Sequence, residues 1–95
     1  MSLTALLEII EEEAKQLQKQ ERELLEQISA ITSQSFAKQA AKELDSKTHT
    51  YSHKEYLELL QRLHILLQEG MPETTALEAV QTGLEVDQIL YIWRY

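Results

Sequence analysis

The sequence predicts an all-α protein: a long N-terminal heptad helix followed by a compact C-terminal three-helix unit. Three observations predict it. Apolar residues recur in alternating steps of four and three from Leu3 to Ile31. Proline occurs once and glycine twice in 95 residues, which suits helices joined by short turns. Helix start and stop signals follow, with Ser52 and Glu55 spaced as a capping box and Gly70 placed shortly before Pro72.

The N-terminal stretch runs through Leu3, Leu7, Ile10, Ala14, Leu17, Glu21, Leu24, Ile28 and Ile31. Leu3, Ile10, Leu17, Leu24 and Ile31 take the d positions of a heptad, and Leu7, Ala14, Glu21 and Ile28 the a positions. If Met1-Ser2-Leu3 is an appended leader, the seam starts at Leu7. A helix of that length reaches about 43 Å at about 1.5 Å per residue and needs a partner along the seam. A second copy of the chain is the expected partner, because so small a chain has little left with which to cover it. Leu3, Leu7, Ile10, Ala14, Leu17, Leu24, Ile28 and Ile31 are therefore the expected interface of a homodimer or higher homo-oligomer. Leu6 and Leu25 flank the seam at g and e, and Ile9 lies outside it. Glu21 is the single polar seam residue and reads as a register setter or as an exposed point where the helices splay.

Thr32-Ser33-Gln34-Ser35 interrupts the pattern, either as a new helix start or as a polar patch in one continuous helix. Phe36, Ala37, Ala40, Ala41 and Leu44 form a smaller stripe, and Asp45 to Thr50 reads as a polar loop. Residues 1–50 are thus a long amphipathic helix, a shorter helix and a loop, and residues 51–95 the three-helix unit. In that unit Tyr51 and Tyr56 are spaced as a hydrophobic staple around the Ser52 cap. Tyr56, Leu57, Leu59, Leu60, Leu63, Leu66 and Leu67 give a face wide enough to be sandwiched between partners. Thr75 and Glu78 read as a second capping box, opening a short helix that ends at Gly83. A last helix follows over Val86 to Tyr95, with Ile89, Leu90, Ile92 and Trp93 inward.

Composition narrows the function. The net charge of −7 is spread over both halves with no basic tail, so nucleic acid and anionic membranes are repelled at long range. Cysteine is absent, which removes disulfides, thiolate nucleophiles and cysteine metal sites and suits a cytoplasmic protein. No apolar run approaches the ~18 residues of a membrane span. There is no phosphate-binding glycine loop and no nucleophile beside an evident base; Glu11-Glu12-Glu13 point around a helix, not at one another. Neither an enzyme nor a cofactor is expected. Asp45, His49 and His53 are spaced by four, yet Thr48, Thr50 and the Ser52 cap argue against a continuous helix there, so no metal site is expected. His64, beside Leu63, reads as a flanking residue of its helix.

Residues 75–94, TALEAVQTGLEVDQILYIWR, resemble a helix-turn-helix. Ala79 stands for the small residue of the first helix, Gly83 and Leu84 for the turn, and Ile89 and Ile92 for the anchors of the second. The resemblance implies a DNA-binding regulator or antitoxin-like protein, dimerising through the long helix and touching DNA with Gln88, Tyr91 and Arg94. The charge runs against this. Residues 71–95 carry Glu73, Glu78, Glu85 and Asp87 against Arg94, whereas phosphate contacts need several cations. The leading expectation is a non-enzymatic interaction or scaffold module, self-associating and with room for a protein partner.

Overall fold

The computed structural model describes residues 2–47 and 53–95. It is all-α: α1 spans Leu3–Ile31, α2 Gln34–Lys47, α3 His53–Gln68, α4 Glu73–Val80 and α5 Val86–Arg94. No helix among the described residues is long and apolar enough to cross a membrane.

The 29 residues of α1 form one unbroken helix. Its first turn is capped by Ser2, whose hydroxyl accepts from the Ala5 amide at 3.2 Å. Its last turn is closed by Thr32, whose hydroxyl donates to the Ile28 carbonyl at 2.6 Å. Of the two readings of the polar interruption, the new helix is the one realised. Ser33 accepts from the Phe36 amide at 3.0 Å and starts α2, turning the chain back within two residues. The expected loop begins later than the residue types suggest, because α2 continues through Asp45 to Lys47. Ala40 and Leu44, fully buried, anchor that last turn, and packing on one face overrides the weak helix preference of the polar residues opposite. Tyr51, Ser52 and His49 lie outside the described residues.

α3 runs alongside α1 in the same sense. Tyr56 sits opposite Glu21, while Gln61 reaches the level of Gln27. It touches all four other helices, so the wide apolar face is sandwiched as expected. Its end is a Schellman turn. Gly70, at φ 94°, donates to the Leu67 carbonyl, Met71 donates to that of Leu66, and the Met71 and Leu66 side chains are both buried.

The second expected capping box does not form. α4 starts at Glu73, with Pro72 as its cap at φ −58° and the Ala76 amide donating to the Pro72 carbonyl at 2.8 Å. Proline carries no amide to satisfy and is preset for a helix start, so Thr75 falls inside the first turn. Gly83 takes the left-handed turn at φ 82°. α4 and α5 each pack on α3 and make little or no direct contact with one another.

One apolar cluster holds the fold together. It includes Ile28 of α1, Phe36, Ala40 and Leu44 of α2, Leu60, Leu63 and Leu66 of α3, Val80 of α4 and Ile89 of α5. The core therefore runs across the expected boundary near residue 50 instead of stopping there. α3 buries its apolar face partly against α1 and α2.

Candidate interaction surface

The packing divides α1 into two stretches. From Leu17 on, the seam faces α2 and α3. Leu17 and Leu24 are half-buried against the core, and Ile28 is 0% exposed. Along this part of the seam the chain's own α2 and α3 close off Ile28 and partly cover Leu17 and Leu24. Ile31 escapes burial at the helix end, 48% exposed. Before Leu17 no other element among the described residues covers the helix. Leu3 is 72% exposed, Ile10 53%, and Leu6, Leu7 and Ile9 about half exposed, with Ala14 also open to water. The result is an arm beyond the body of a molecule 55 × 25 × 20 Å across.

The body meets the arm at a polar junction. Glu21 accepts a hydrogen bond from the Tyr56 hydroxyl at 3.1 Å and faces His53 Nε2 at 3.5 Å. The His53 and Tyr56 rings lie 5.6 Å apart in a tilted pair. Burial, then the charge of Glu21 and the hydrogen bond to it, then Asp45 at the end of α2, push the Tyr56 phenol well above its ordinary value. The lone polar seam residue thus joins α1 to α3 within a single chain. Its partners were missed in the sequence. The available signal was a tyrosine and a histidine, three residues apart, at the start of an otherwise leucine-rich face.

The residues of the helix-turn-helix resemblance lie on and beside α5. The Gln88 side chain turns back to accept from the Glu85 amide at 3.2 Å, closing the helix start. Arg94 pairs with Glu69, next to the end of α3. Tyr91 is exposed and stacks at a tilt on Tyr95, ring centres 5.1 Å apart. Glu85, the cap residue itself, pairs with Arg62 of α3 at 3.2 Å. Ile92 and Trp93 were expected inward, but Ile92 is 66% exposed and Trp93 is open as well. A nine-residue helix leaning on α3 buries one stripe, formed by Val86, Ile89 and Leu90, and Ile92 falls beside it.

Two further features bear on chemistry. An open trough of about 540 Å³ runs along the outer side of α1 and α2, floored by Leu25, Ala30 and Ala37 and rimmed by Arg22, Glu26 and Lys38. Its walls do not enclose it as the walls of a small-molecule site would. Among the described residues no three His, Asp or Glu side chains are grouped to hold a metal ion. His53 faces Glu21, Asp45 is exposed on α2, and His64 is half-buried on α3. Among those residues, too, no buried side-chain polar atom lacks a hydrogen-bond partner, so the core holds no orphaned group awaiting a ligand.

No protein family, curated protein or solved structure matches the chain.

Proposed function

We propose that the protein is a small, non-enzymatic helical interaction module of the cytoplasm that self-associates through the open N-terminal stretch of α1. One observation carries the reading: Leu3, Leu6, Leu7 and Ile10 stand in water along one heptad face that projects from a finished core. Fully burying such a side chain is worth about 1.5–3 kcal/mol, so a partner that covers the row gains several times that amount before association costs. Isolated helices of about 12–15 residues are marginal in water. An arm of this length therefore gains order as well as burial from pairing. The body then serves as the unit that pairing brings together, with the Tyr91 and Ile92 surface facing outward.

Sedimentation equilibrium tests this. The wild-type chain is expected at twice its monomer mass, or a higher multiple, at micromolar concentrations. Leu7→Asp is expected at the monomer mass with the helical circular dichroism of the body retained, because it would bury an unpaired charge in the pair while leaving the body untouched. A wild-type monomer would refute the proposal.

A further inference from the structure

We propose that the two copies pair antiparallel. The open stretch of one α1 lies head to tail along that of the other, so that Leu3 of one copy meets Ala14 of the second and Leu7 meets Ile10. This rests on the reading that the open stretch of α1 is the self-association surface. It goes further by fixing the direction and register of the second copy.

Three observations fix them. The first is steric. α2 and α3 occupy the a and d face of α1 from Leu17 to Ile28. A second α1 running in the same direction, seam against seam, enters that occupied space at the level of Leu17 and carries its own α2 and α3 into it. α1 is one continuous helix and offers no bend by which the two copies could part. The second is length. The open seam from Leu3 to Ala14 spans about 16 Å at about 1.5 Å per residue. Laid in reverse, the tip of the second copy stops beside Ala14, one turn short of Leu17, and its body lies beyond Leu3 at the far end. Antiparallel pairing thus uses the open stretch fully and meets no obstacle.

The third observation is charge. Glu11, Glu12 and Glu13 follow one another on the arm. A parallel pair sets the two runs side by side at one height. The antiparallel pair sets each run beside Thr4, Ala5 and Leu6 of the other copy. Like charges placed opposite one another oppose association, and only the reversed arrangement avoids this. The arrangement leaves Ile9 outside the contact, since it lies off the seam, so Ile9 and Leu7 are predicted to differ although both are about half exposed.

The chain has no cysteine, so single thiols report contacts cleanly. Leu3→Cys and Ala14→Cys proteins are prepared separately, then treated with a short bis-maleimide linker, whose two alkenes each add one cysteine thiol, alone and as a mixture, and the same samples are sedimented. Covalent dimer in the mixture, with none from either variant alone, is the expected result. In the reversed pair, identical positions stand about 16 Å apart along the axis. Covalent dimer from Leu3→Cys alone would show a parallel pair. Sedimenting dimers that link in none of the three samples would place the contact elsewhere. Either result overturns the antiparallel register while leaving self-association standing. Monomers throughout, for the variants and for the wild type, would overturn both. As a second readout, Ile9→Asp is expected to remain dimeric and Leu7→Asp to dissociate. Dissociation by both, or by neither, contradicts the register.

Discussion

From Leu17 to Ile28 the seam of α1 packs against the chain's own core, while before Leu17 the same seam stands in water. The heptad does not change between the two stretches; what changes is what lies opposite. α2 turns back after Thr32 and Ser33, and α3 begins its return beside Glu21, where His53 and Tyr56 meet it. Periodicity therefore specifies that one face of α1 is to be covered, and chain length decides which part is covered from within. The uncovered remainder, from Leu3 to Ala14, stays open to water.

The largest expected effect sharpens this difference. Leu60→Ala, at a fully buried position of α3, should cost about 2–5 kcal/mol in urea denaturation. Leu7→Ala on the arm should change the stability of the monomer by no more than about 0.5 kcal/mol, as surface substitutions do. Similar losses for both variants in dilute protein would break the comparison, because the arm would then belong to the core.

A smaller effect is expected at the junction. Tyr56→Phe removes the hydroxyl that binds Glu21 and should cost about 0.5–1.5 kcal/mol near neutral pH. The phenol is held above its ordinary value of 10.0, chiefly by burial. Its contribution to stability is therefore fully present below pH 10.0 and is lost as the pH climbs above that value, because the unfolded chain ionises there first. Wild-type stability should fall above that pH while the Phe variant falls less steeply, so the gap between them narrows. Urea titrations at neutral and alkaline pH measure it, and parallel curves would remove Tyr56 from the account.

The smallest expected effect concerns the arm's acids. Glu8, Glu11, Glu12 and Glu13 outnumber Lys15, so two arms repel at low ionic strength. Raising the salt from about 0.01 M to about 0.15 M shortens the screening length from about 30 Å to about 8 Å and should tighten the pair by roughly two- to threefold. Sedimentation at the two salt concentrations checks the sign. Weaker association at the higher salt would point to attractive ion pairs in the contact.

Much of this molecule is legible in the sequence where local rules govern. The seam gives α1, the leucines of α3 give a helix buried on a wide face, and Gly70 gives a turn that takes a positive φ. Failures occur where a tertiary neighbour decides. Leu24 and Leu3 both hold d positions and cannot be told apart until α2 and α3 are placed over one of them. Ile92 has a helical spacing that suits burial, but α3 is too narrow a support to reach it. Gln88 looks like an outward polar residue until the Glu85 amide is seen to need an acceptor. Glu21 looks like a defect in a two-chain seam until Tyr56 and His53 are brought to it by the third helix.

The central claim is that the two stretches of α1 are held by different molecules, the later by its own chain and the earlier by a second copy. Amide hydrogen exchange along α1, followed from dilute to concentrated protein, tests it most directly. The account predicts that amides from Glu21 to Ile31 are protected to the same degree at every concentration, because α2 and α3 travel with them. Amides from Leu7 to Ala14 should exchange fast when dilute and become protected as the concentration rises, because pairing is governed by mass action. Protection of Leu7 to Ala14 that is independent of concentration would contradict the account, as would a rise in protection shared equally by both stretches.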